Sequence, residues 1–201
     1  IDAHFHAPFK MNDHVETYVV QEAIWDRGEG RGSLSKQVGK SYSADGVHLC
    51  TVETYDCCIY DGGFGGERPP KDVVEYPDRE PDLAYEEVCG YQWPLIYRFM
   101  GDWHQQHIDW AYTEQTGLAR PINHGVCTAG IAMRHLIALL IPGQPERLRR
   151  FKCRFTSPVL PGTRLCTQVW KMGEGEARFR VVDADDGAAR PFLNFCLAEW
   201  E

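Results

Sequence analysis

Val126-Cys-Thr-Ala-Gly-Ile-Ala-Met-Arg-His-Leu-Ile-Ala-Leu-Leu-Ile-Pro-Gly143 is the stretch whose reading decides the fold. Ala129, Ala132, Met133, Leu136, Ile137 and Leu140 recur at three- and four-residue intervals, the spacing of one helical face. Pro142-Gly143 ends the run, because proline lacks the N–H that a helix needs. The helix expected over 126–141 is apolar nearly all round, so it must be buried. Strand patterns at 149–157, 163–172, 176–184 and 190–200 supply its wrapping. Upstream, a strand is expected at Trp93 to Phe99 and a short helix at Trp110 to Thr116. The fold class is α+β, with an antiparallel sheet around one long helix.

The chain also repeats itself. Trp25-Asp-Arg-Gly-Glu-Gly30 echoes Trp170-Lys-Met-Gly-Glu-Gly175. A proline, a turn and a strand pattern precede each copy: Pro8 to Asn12-Asp13 then Val15 to Val20, and Pro158 to Pro161-Gly162 then Leu165 to Trp170. Polar turns follow each, at Ala44-Asp45-Gly46 and Asp185-Asp186-Gly187. The matched order favours duplication over two unrelated glycine-rich hairpins. The first half offers strands at 14–25, 31–43 and 47–60 but no helix. An apolar face that includes Val15, Tyr18, Val20, Ile24 and Trp25 is therefore expected to lack a cover.

Between the copies, Gly62-Gly-Phe-Gly-Gly66, Pro69-Pro70 and an acidic run to Pro81 interrupt regular structure. The resulting division is a truncated half over 1–66, a linker over 67–82 and a complete half over 83–201.

Composition narrows the function classes. Lys and Arg total 21 against 29 Asp and Glu, a formal charge of −8, which repels nucleic acid and anionic membrane. The eight cysteines, at 50, 57, 58, 89, 127, 153, 166 and 196, form no C-x-x-C pair and read as buried free thiols of a reducing compartment. With no leader-like start and no apolar run of membrane-spanning length, a soluble cytoplasmic protein is expected, although a start at Ile1 leaves room for an upstream segment.

The chemistry-bearing residues cluster in Tyr97-Arg-Phe-Met-Gly-Asp102-Trp-His-Gln-Gln-His107-Ile-Asp109 and Pro121-Ile-Asn-His-Gly125-Val-Cys-Thr128. These segments resemble the hydratase motif of the MaoC-like family, the (R)-specific or type 2 enoyl-CoA hydratases, in which Y-R-x-S-G-D-x-N-P-L-H-x-D precedes P-I-x-H-G-x-x-T. Gly101, Asp102, His107, Asp109, Pro121, Ile122, His124, Gly125 and Thr128 match. Phe155-Thr-Ser-Pro-Val-Leu-Pro-Gly162 and Gly62 to Gly66 extend the similarity along most of the chain.

The resemblance implies a double hot dog, its first half poor in helix, that acts on an acyl thioester and uses no cofactor or metal. It implies that Asp102 and His107 hold one water, take its proton and return a proton to C2 of the substrate. The Gly125 N–H, at the helix start, is the expected donor to the enolate oxygen. Asp109, His124 and Thr128 are expected to support the loop and helix. His104-Gln105-Gln106 replaces the family's Asn-Pro-Leu, so His104 stands where an assisting asparagine is expected. A homodimer or higher oligomer is the expected assembly.

Three other readings compete. A non-catalytic acyl-binding hot dog would keep the fold without the reaction. His104-x-x-His107 with Asp109 could hold a metal. A thioesterase would need water at C1 rather than C3. The opening Asp2-x-His4-x-His6 resembles the start of metal-dependent amidohydrolases, but those need a barrel of about 250 residues.

Overall fold

In a computed structural model of the protein, residues 1–186 and 190–201 are described. In chain order, the strands β1 (Asp2–Phe5), β2 (Val15–Asp26), β3 (Ser33–Ser43), β4 (His48–Cys58) and β5 (Leu83–Val88) precede three helices: α1 (Trp93–Tyr97), α2 (Trp110–Gln115) and α3 (Gly125–Leu140). The strands β6 (Leu148–Phe155), β7 (Arg164–Gly173), β8 (Glu176–Asp183) and β9 (Leu193–Trp200) follow. The chain forms two compact units, one of residues 1–74, 146–152 and 199–201, the other of 75–145 and 153–198.

In the first unit the strand order is β2-β3-β4-β1, and β1 pairs antiparallel with β4 and with the start of β6, Asp2 lying opposite Glu53 and Lys152. This short strand is missed by pattern reading, since four residues show too little alternation. Its Asp2 is buried and receives both Nε and Nη2 of Arg150, at 2.8 and 2.7 Å. No α-helix occurs among the described residues of this unit. Tyr18, Val19, Val20 and Ile24 of β2 are each more than half exposed, as expected of a strand without a helix to cover it.

Both repeated hairpins form. β2 and β3 pair from Val15–Ser43 to Asp26–Ser33, and β7 and β8 from Leu165–Asp183 to Gly173–Glu176. Gly28, Gly30, Gly173 and Gly175 all have positive φ at the two reversals, which accounts for the shared Gly-Glu-Gly. The matching turn at 185–187 runs into Gly187, outside the described residues.

Gly62 to Gly66 is more than a spacer. The Asp26 carboxylate, at the end of β2, accepts N–H groups from Gly28 at 2.7 Å and from Gly63 and Gly65 at 2.8 Å each. Those three donors hold its carboxyl below the usual carboxylate range. Positive φ at Gly63 and Gly65 turns the amides inward.

In the second unit β9, β8, β7 and β5 lie side by side in that order, and α3 packs against β5 and β7. Leu136 and Ala132 of α3 are buried, as are Leu165, Val169, Phe179 and Cys196 of the strands. His135 is fully buried: its Nε2 lies 2.9 Å from Glu87 of β5 and its Nδ1 2.9 Å from the Thr167 hydroxyl of β7. A neutral ring satisfies both, donating to the carboxylate and accepting from the hydroxyl. Tyr76 is also docked here, its hydroxyl donating to the Phe179 carbonyl and accepting the Cys196 N–H.

Two expectations are corrected. Residues 93–97 are helical rather than extended: Pro94 sits in the first turn, where its missing N–H costs nothing, and residues 98–100 continue as a 3-10 turn. α3 is not buried all round. Its inner face of Thr128, Ala129, Ile131, Ala132, His135 and Leu136 is covered, while Val126, Gly130, Arg134 and Ala138 are exposed.

Candidate active site

An open cavity of about 440 Å³ in the second unit is lined by polar Asp102, Gln106, His107 and Asn123, by Gly125, and by apolar residues that include Phe155, Val159, Phe192 and Leu193. A few polar groups thus share one cavity with apolar side chains, the composition expected of a site that orients an acyl chain.

The polar side is built by the loop between α1 and α2 together with the start of α3. Gly101, at φ 107°, ends the 3-10 turn after α1 and sends the chain into Asp102. Asp102 Oδ1 accepts the His104 N–H at 3.1 Å, fixing the carboxylate. The His104 side chain is occupied locally: its Nδ1 accepts the Gln106 N–H at 3.3 Å and caps the 3-10 turn of 105–107. His104 therefore caps the turn with its ring and reaches Asp102 through its backbone.

Asp102 Oδ2 lies 3.9 Å from His107 Nε2 and 3.8 Å from His124 Nε2. Neither distance is a hydrogen bond, but Asp102 Oδ2 and the His107 Nε2 lone pair are so spaced that they can share one water about 2.8 Å from each. His124 Nε2 donates instead to the Asp102 carbonyl at 3.4 Å. His107 is buried, and its Nδ1 donates to the Ile122 carbonyl at 2.8 Å. That bond leaves a lone pair on Nε2, facing Asp102, as a general base requires. Gln106 Nε2 lies 3.2 Å from the same nitrogen.

His124 belongs to the site more fully than its supporting role suggested. It is the residue before α3, it is buried, and its ring stacks on that of His107 with centroids 3.6 Å apart and planes tilted by 23°. Burial pushes both imidazoles below the ordinary histidine value; for His124 the neighbouring His107 adds to the effect. Tyr97 packs against the His124 ring, with centroids 4.6 Å apart.

Asp109 and Thr128 serve the frame. Asp109 caps α2, accepting the Tyr112 N–H at 3.2 Å, and buried Thr128 bonds the His124 carbonyl and the Asn123 amide. Gly125 opens α3 and lines the cavity; a Cβ there would meet two Phe155 ring carbons at 3.2 Å. The first amides of a helix have no partner within it, so this end favours negative charge.

Asp102, His107 and His124 offer three ligand-type atoms within 4.8 Å of one another. The two imidazoles stack with centroids 3.6 Å apart and planes tilted by 23°, whereas in-plane lone pairs that share a zinc at ~2 Å converge on one point. The alternative set fares no better: His104 and His107 meet edge to face at 6.3 Å, and Asp109 is spent on α2.

Sequence reading missed the Gln106 contact, the stacking of His124 and the part played by Asn123. Gln106 was visible only as a departure, and Asn123 occupies a position the motif leaves open.

The fold and this site define a hot-dog protein of the hydratase type. The MaoC like domain profile matches residues 75–189, and the chain belongs to that family. It is 35% identical over 201 residues to the 3-hydroxyacyl-thioester dehydratase Y of Mycobacterium tuberculosis, covering 97% of this chain and 69% of that protein. Full-length peroxisomal multifunctional enzyme type 2 of Drosophila melanogaster superposes with a TM-score of 0.87 at 23% identity, over the whole of this chain and 36% of that one. A Mycobacterium tuberculosis protein described as a double hot dog superposes at 0.60 and 13% identity, over 98% of this chain and 73% of that one. No helix among the described residues is long and apolar enough to cross a membrane.

Proposed function

We propose that this chain adds water across the 2,3 double bond of an enoyl thioester, or removes it from the 3-hydroxyacyl thioester, without a cofactor. The observation that carries the reading is the Asp102 carboxylate 3.9 Å from the unprotonated Nε2 of His107, beside an acyl-sized cavity.

In the hydration direction, a water held between Asp102 and His107 loses a proton to the pair as its oxygen attacks C3. The electron pair of the double bond moves toward the thioester carbonyl, and the Gly125 N–H at the head of α3 meets the developing negative charge. The proton held by the pair then passes to C2. One H2O has been added and the pair ends as it began, so the same path runs in reverse. Asp102 also stabilises the imidazolium that forms on His107. The relative's name, a 3-hydroxyacyl-thioester dehydratase, agrees with this chemistry.

A panel of enoyl and 3-hydroxyacyl thioesters of graded length, assayed in both directions, tests the reading. Turnover should fall by roughly 10²–10⁴ in Asp102→Asn and in His107→Ala, with unchanged circular dichroism. Wild-type rates in both variants would remove the pair from the mechanism.

A further inference from the structure

Gln106 makes a contact that hydration itself does not call for. We infer that its side-chain amide caps the base, donating a hydrogen bond to His107 Nε2 in the resting site and so acting as a positioning residue that tunes when His107 accepts a proton.

The geometry supports this directly. The Ile122 carbonyl can only accept, so His107 Nδ1 carries the hydrogen and Nε2 of the neutral ring carries the lone pair. The Gln106 amide nitrogen stands 3.2 Å from that lone pair. Gln106 is half-buried on the cavity wall, and its backbone N–H is held by His104 Nδ1. It is therefore fixed immediately before the residue that it caps. The leucine of the family pattern could make no such bond, so this feature arises from the replacement at 104–106.

Two consequences follow. A donor to Nε2 stabilises the neutral ring and opposes protonation. It also occupies the lone pair that an attacking water must use, so the amide has to turn away when substrate and water arrive. After proton transfer, turning the amide over presents Oε1 to the new Nε2–H, so one side chain can serve both states of the base.

The other groups facing His107 are Asp102, His124 stacked at 3.6 Å, His104 at 6.3 Å and the Arg98 guanidinium. Of these only Asp102 favours the imidazolium. Gln106 adds to the opposing set without adding charge.

The inference rests on His107 being the base, so its test must not depend on turnover alone. The His107 ring is followed by NMR across pH in protein labelled at histidine, for wild type, Gln106→Leu and Gln106→Glu. Loss of the donor in Gln106→Leu should move the His107 titration up by roughly 0.5–1 pH unit, and the carboxylate of Gln106→Glu should move it further. The acid limb of kcat/KM against pH should move by the same amount. A titration that stays in place in both variants overturns the capping role. A titration that moves while the kinetic limb does not supports the cap and counts instead against His107 as the base.

Discussion

The two units carry the same hairpin code, yet only one encloses a helix. In the unit that holds β5 and β7 to β9, α3 packs on the sheet and its N-terminus follows buried His124 and brings Gly125 to the cavity. In the unit built on β1 to β4, the strands pair as fully, but Tyr18, Val20 and Ile24 stay exposed. Strand pairing satisfies backbone groups; it does not by itself bury side chains or aim a helix end. The candidate site sits in the unit that has the helix.

The comparison can be broken most severely at the head of α3. Gly125→Ala puts a methyl group against Phe155 and should lower kcat roughly 10- to 100-fold by disturbing the oxyanion donor, as steady-state kinetics would show. An unaffected kcat would mean that the helix start has no role in the reaction. Further along, Leu136→Ala empties a fully buried position and should cost roughly 2–5 kcal/mol in urea unfolding. Val20→Thr, on the exposed strand β2, should stay within about 0.5 kcal/mol in the same measurement. Equal costs would show that β2 is covered in solution.

The pH dependence should separate the units more gently. His107 and His124 have depressed values in the folded second unit, so the unfolded chain takes up protons first. Their contribution to stability is present above the unfolded value of about 6.5 and is lost as pH falls through their folded values. Denaturant midpoints should fall accordingly between neutral and mildly acidic pH, and His107→Gln with His124→Gln should flatten that slope. In the proposed mechanism the neutral ring is the base, so hydration should fade over the folded titration of His107, below the ordinary histidine range.

How much of this was legible depended on the period of the signal. α3 and the paired Gly-Glu-Gly hairpins show in the sequence because helical spacing and turn glycines are local. Asp102 and His107 were found through a motif of fixed spacing. β1 was hidden by its length, and Trp93 to Phe99 misled because Trp, Leu, Ile, Tyr and Phe suit a strand as well as a helix. The motif named His124, but it lies 17 positions beyond His107 and only the closed loop stacks the two rings, so no local pattern could announce that contact. The same holds for Gln106, whose neighbour in sequence becomes its partner only because the turn is capped by His104.

The loop of Gly28, Gly63 and Gly65 around Asp26 has a consequence of another kind. Three backbone amides converging on one carboxylate form the type of concavity in which other proteins hold a phosphate or sulfate, and here the chain supplies its own anion. Asp26→Ala should therefore do more than weaken the first unit. It should leave an empty anion receptacle, and small carboxylates such as formate or acetate should restore part of the lost melting temperature in the variant while leaving the wild type unmoved.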